Sequence, residues 1–104
     1  MSFQLIIQFE LNKATVDDFD RLLALENELR IALKEQHDVK GHQLGIDQIN
    51  IIIHTDNPDE AFTLCRTILS NKELETVLVA YKELDGDNFY VLWPENYNGA
   101  FKIT

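Results

Sequence analysis

The sequence predicts an α+β domain in which an antiparallel sheet carries two helices on one face. Apolar and polar residues alternate through several short stretches, the period of two of a half-buried strand, and two longer stretches between them repeat their apolar residues at helical spacing. With 45% apolar and 26% charged residues over 104 positions, the chain has the make-up of one domain that buries its own core.

Phe3, Leu5, Ile7 and Phe9 alternate with Gln4, Ile6, Gln8 and Glu10, which predicts a first strand with one face buried. Thr15 with Asp18 three residues later resembles a capping box, and Asp17, Asp18 and Asp20 put negative charge at the positive end of a helix dipole. A helix over 16–36 follows, with Phe19, Leu22, Leu23, Leu29, Ala32 and Leu33 as its inward stripe. Residues 39–54 read as a hairpin turning near Gly45, Ile46 and Asp47, with Ile49, Ile51 and Ile53 alternating against Asn50, Ile52 and His54; the alternative is one long strand after an irregular loop. In the next segment Asn57 suits a helix cap, Pro58 the first helical position, and Glu60 a reach back to the cap. Ala61, Phe62, Cys65, Ile68 and Leu69 form the stripe of that second helix. The β-branched and aromatic stretch 76–82 and the segment Phe89–Trp93 flank Asp85 and Gly86 and read as a terminal hairpin. Pro94 cannot donate to a sheet ladder, so residues 94–104 are expected to be a tail whose Tyr97, Phe101 and Ile103 can pack back onto the domain.

The resulting order, βαββαβ plus one more strand, is that of a ferredoxin-like two-layer sandwich with an extra C-terminal edge strand, a single domain over residues 1–104. Two helices cover one face of such a sheet, so the opposite face is expected to be open.

Eighteen acidic against nine basic residues give a formal charge of −9, which repels phosphate backbones and anionic bilayers and disfavours nucleic acid and membrane as partners. The same charge keeps a domain soluble and suits a basic protein partner. Cys65 is the only cysteine, so no intrachain disulfide forms and a reducing compartment is expected. The opening residues lack a basic start and meet Gln4, Gln8 and Glu10 too early for a signal peptide, and no apolar run reaches the ~20 residues of a bilayer span; a cytoplasmic location is the expectation.

With the hairpin turning near Gly45, His42 is expected opposite Asn50, and Asp38 opposite His54, on the open face beside Gln4 and Gln8. His42, Asn50, His54, Gln4 and Gln8 are thus the candidate ligand-binding residues. Two histidines and a carboxylate are also enough donors for an open zinc site, yet no HExxH-type spacing accompanies them and no metal is assigned. Ile6, Ile52, Tyr90 and Leu92 are the candidate interface residues, as apolar side chains outside the helix-covered core. His37 reads as a cap at the end of the first helix, Glu26 as a solvated acid at the margin of its stripe, and Cys65 as a core thiol. Glu83, Asp85 and Asp87 flank a turn without the closing glutamate of a calcium loop. No GxGxxG, Walker loop or GxSxG is present, so no cofactor and no catalytic residue is assigned.

The residues Gly41, His42 and Gly45, then Asn50, Ile51, Ile53, Thr55, Pro58, Ala61 and Phe62, with the closing Leu92, Trp93 and Pro94, resemble a group of small uncharacterised bacterial α/β proteins over about half the chain. The resemblance implies a bacterial domain of this strand and helix order and brings no activity, substrate or catalytic residue.

A non-enzymatic interaction or regulatory domain is the leading expectation, as a homodimer through the open face or terminal hairpin or with a protein partner. Two alternatives stand beside it: an immunity or inhibitor protein for a basic toxin, and a small-ligand or minor enzymatic site on the polar patch.

Overall fold

A computed structural model describes residues 2–10, 18–33 and 37–103, with the side chains of Asp18 and Phe19 left aside. The predicted capping at Thr15 and Asp17, the inward position of Phe19, and the helix ends at 16–17 and 34–36 lie outside what is described. In chain order the elements are β1 (Phe3–Glu10), α1 (Asp18–Leu33), β2 (His37–Gly45), β3 (Gln48–Thr55), α2 (Pro58–Ile68), α3 (Asn71–Thr76), β4 (Leu78–Glu83) and β5 (Tyr90–Trp93). The strands form one open antiparallel sheet in the order β2-β3-β1-β4-β5, so β1 is central and β2 and β5 are the edges.

The alternation read in β1 decides which side the helices take. Leu5, Ile7 and Phe9 of β1, Ile49, Ile51 and Ile53 of β3 and Val79 of β4 join Leu22, Leu25, Leu29 and Leu33 of α1 and Ala61, Phe62 and Cys65 of α2 in one buried cluster. This is a two-layer packing of sheet and helices. The inward stripe of α1 differs from the sequence reading. Its spacing of three, four and four residues starts at Leu22 and takes in Leu25, whereas Leu23 is 38% exposed and Ala32 is exposed too. Adjacent leucines make both phases apolar, and packing on the sheet selects one of them.

At α2, the Asn57 side chain accepts the Glu60 amide at 3.1 Å and Pro58 fills the first turn. The carboxylate of Glu60 does not return to the cap, because the Asn57 amide donates to the Thr55 hydroxyl at 2.9 Å. A helix absent from the sequence reading, α3, is built on a capping box: Ser70 Oγ accepts the Glu73 amide at 3.1 Å and Glu73 Oε1 accepts the Ser70 amide at 2.8 Å. Arg21 of α1 grips the same carboxylate with Nε at 2.9 Å and Nη2 at 3.1 Å, tying α3 to α1.

The hairpin of β2 and β3 turns at Ile46 and Asp47 as expected, but its register does not run straight. Asp38 faces His54 and Val39 faces Ile53, and then Gly41, not Lys40, faces Ile52. The extra residue is a bulge, and Gly41 takes φ of +133°, a conformation that L side chains rarely adopt. Beyond the bulge every side chain changes face relative to an unbroken pairing.

Candidate functional site

The sheet face opposite the helices carries four rows of side chains, the last of them Gln48 and Glu10 beside Gly45. Nearest the His37 end lie Asp38, His54, Gln4 and Lys82, one from each of β2, β3, β1 and β4. Gly41, Ile52, Ile6, Ala80 and Val91 form the second row, and Gln43, Asn50, Gln8 and Leu78 the third. Gln48 lies two residues from Asn50 along β3, so it shares that face.

The third row is not an open polar surface. Gln8, Gln48 and Asn50 are 4%, 9% and 0% exposed, and their amides bond to one another. Gln8 Nε2 donates to Gln48 Oε1 and Asn50 Oδ1, both at 3.0 Å, and Asn50 Nδ2 donates to Gln48 Oε1 at 3.0 Å. The same Gln8 nitrogen donates to the main-chain oxygen of Lys102 at 2.8 Å, and Gln48 Nε2 reaches that oxygen at 3.4 Å. An amide has two hydrogens, so the three acceptors around Gln8 Nε2 share them. These bonds lay the segment after β5 over the sheet, with Phe101 against Phe89 at 4.8 Å between ring centres.

Several expectations are corrected here. Because the bulge at Lys40 and Gly41 shifts the register, His42 faces Ile51 instead of Asn50 and stands on the helix side, where its Nδ1 meets Glu26 Oε1 at 2.9 Å. Gln4, Gln8, Asn50 and His54 do share the other face, but Gln8 and Asn50 are committed to the amide cluster. Ile6 is fully buried despite facing away from the helices, as is Ala80. Tyr90 is 56% exposed yet lies on the helix side beside Tyr81, and Leu92 packs against the helix-side core; Ile52 alone among the four is a half-buried member of the second row. The segment over residues 94–103 therefore covers part of a face expected to be open.

His54 is the one open-face histidine, set between Gln4 and Asp38 on the neighbouring strands. Its pKa lies below the ordinary imidazole value because burial disfavours the charged ring, with Lys40 adding repulsion and Asp38 partly opposing it. Asp38, in turn, is held below the usual carboxylate range by the hydrogen bond from Lys40 Nζ at 2.9 Å. Lys82 is occupied, since its ammonium donates to the main-chain oxygens of Glu83, Leu84 and Gly86 at 3.1 to 3.3 Å and closes the turn after β4.

Two other constellations have chemical form without access. His37, expected as a helix cap, is instead 3% exposed at the start of β2, where Nδ1 meets the Thr55 hydroxyl and Nε2 meets Glu60 Oε1 at 3.2 Å. Hydroxyl, imidazole and carboxylate stand in the order of a nucleophile relay. Thr55 has no exposed surface and its oxygen already accepts the Asn57 amide, so the chain of bonds locks β2, β3 and α2 together. Cys65 is buried in the core, and burial pushes its thiol up to about 12, so the thiolate that a nucleophile or metal ligand needs is absent at neutral pH. Among the described residues no group of three His, Cys, Asp or Glu side chains is placed to hold a metal ion, and no helix is long and apolar enough to cross a membrane.

The outer edge of β2 is the other prominent feature. It ends the sheet, and from His42 to Leu44 its side chains are exposed. Leu44 is 61% exposed on the helix side, and the adjoining turn leaves Ile46 77% exposed. Comparison of the chain with known protein families, curated proteins and solved structures returns no match.

Proposed function

We propose that the chain is a ferredoxin-like, non-enzymatic interaction domain that takes an extended segment of a basic protein onto the β2 edge. The observation that carries the proposal is the outer half of β2: an edge strand, apolar at Leu44, in a position where a strand can be added by main-chain hydrogen bonds. Natural edge strands are guarded against such pairing by bulges and lysines, and β2 has both, at Lys40 and Gly41, in its first half alone. The stretch beyond the bulge has neither. A formal charge of −9, with Asp47 exposed in the adjoining turn, favours a basic partner over a second copy of the chain. Immunity against a basic toxin is one role of this kind, and the resemblance to small bacterial α/β proteins belongs to the same proposal.

Selection from a random peptide library on the immobilised protein tests it. Enriched peptides are expected to alternate apolar and basic residues, to weaken about tenfold or more against Leu44→Glu, and to lose binding when alternate backbone amides are methylated. Enrichment of neutral or acidic peptides, or binding indifferent to Leu44→Glu, overturns the proposal.

The alternative of a small-ligand site is favoured by the row of Gln4, His54 and Asp38, where a neutral imidazole stands between two polar neighbours. Its test is the His54 ring resonance, which a bound metabolite must move.

A further inference from the structure

The amide cluster on the sheet bonds within itself and also reaches a main-chain oxygen of the segment after β5. Gln8, Gln48 and Asn50 are each more than nine-tenths buried, from two strands, and two of them converge on a single main-chain oxygen. Burying three carboxamides is costly unless their bonds are made, and the Lys102 oxygen accepts from two of the three side chains. The segment that supplies this oxygen is otherwise loosely held. It forms no helix or strand over 94–103, and every residue from Pro94 to Ala100 is exposed. Phe101 and Ile103 are half-buried on either side of Lys102, and Lys102 itself is exposed. Such a segment belongs to the low end of local stability, whereas β1 beneath it is the central strand of the sheet.

We propose that Gln8, Gln48 and Asn50 form a receptor for the main chain of an extended peptide, and that residues 100–103 are its resident, displaceable occupant. The receptor reads a carbonyl, so the backbone is recognised irrespective of sequence; the flanking Phe101 and Ile103 and the exposed Lys102 define the pattern apolar, basic, apolar. A basic residue at the centre suits a protein of charge −9. The incoming segment belongs to another protein of that pattern, and the resident one sets the threshold for entry, because a tethered occupant competes at high effective concentration. This site is separate from the β2 edge and stands independently of it.

The test uses the full chain and a fluorescent, end-capped peptide with the sequence of residues 99–104. Phe101→Ser with Ile103→Ser loosens the resident segment and leaves the three amides intact. The doubly substituted protein is expected to bind the peptide at least about tenfold more tightly than the unsubstituted one, whose receptor is occupied. A peptide in which the lysine carbonyl is reduced to a methylene is expected to lose binding at least about tenfold, a readout that leaves the protein untouched. Leu44→Glu is expected to change nothing. The proposal is overturned if the folded double variant shows no saturable binding, if both proteins bind equally, if the reduced peptide binds as well as the intact one, or if Leu44→Glu weakens the complex.

Discussion

Glu73 is the residue on which most local order turns. It closes the capping box of α3 and accepts two hydrogen bonds from Arg21, and although burial pushes its carboxyl up, the bonds from Arg21 and Ser70 outweigh this and hold it below its ordinary value of 4.5. Arg21 is shifted upward, chiefly by its hydrogen bonds to Glu73. Since Arg21 is about a third exposed, solvent screens the ion pair and the cap supplies the larger share. Glu73→Gln, which keeps the cap acceptor and removes the charge, is expected to destabilise the fold by no more than about 1 kcal/mol in urea titrations at neutral pH. The carboxylate is charged in the folded state below 4.5, where the unfolded chain has taken up its proton, so its contribution fades as pH falls through the folded pKa and the two proteins converge there. His54 acts in a higher window with the same sign. Its folded pKa is lowered, the unfolded chain binds a proton first as pH drops through 6.5, and stability is lost on acidification. An NMR titration is expected to place its midpoint below 6.5, and His54→Gln to flatten the stability profile in that range. At this scale the sequence was readable where a residue's role is local, as with Asn57 and Cys65. The role of His37 was not, because Thr55 and Glu60 reach it only after β2, β3 and α2 have packed.

Gly41 governs an element instead of a contact. A Cβ there would meet nothing within 4 Å, so the strain of its φ of +133° is the whole penalty for any side chain. Gly41→Ala is expected to cost about 1–3 kcal/mol in chemical denaturation, or else to straighten the bulge and carry His42 away from Glu26, which the loss of their close contact in NMR would reveal. A glycine inside an alternating stretch is itself a bulge signal, and it was present at position 41. The hairpin was legible in full except for that one residue, and the one residue moved His42 to the other face. α3 was legible as well, since Ser70 and Glu73 have capping-box spacing. The phase of α1 was not, because Leu22, Leu23 and Leu25 offer two apolar stripes and only the sheet distinguishes them.

For the whole molecule, an antiparallel sheet packed with helices was legible, and so was the capacity of Tyr97, Phe101 and Ile103 to pack back onto the domain, while the face that residues 94–103 reach was not, since they have no periodicity to read. From Leu5 to Phe9, β1 is buried on both faces. Ile6→Ala is therefore expected to cost about 2–5 kcal/mol, as a core truncation does, against no more than about 0.5 kcal/mol for Leu44→Ala on the exposed edge, both by urea denaturation. Equal, small effects would mean that Ile6 is accessible to water. Trp93 is the only tryptophan, and it sits on the opposite side of the sheet, its indole nitrogen donating to the Leu74 oxygen at 2.7 Å and its ring 4.7 Å beneath the Arg66 guanidinium. Its emission thus reports chiefly on α2, α3 and β5, on the side of the sheet away from Lys102. A dye at position 102 and the native indole form a pair of spectroscopic witnesses, one for detachment of the last residues and one for melting of the body, and the gap between their transitions measures how separately the two come apart.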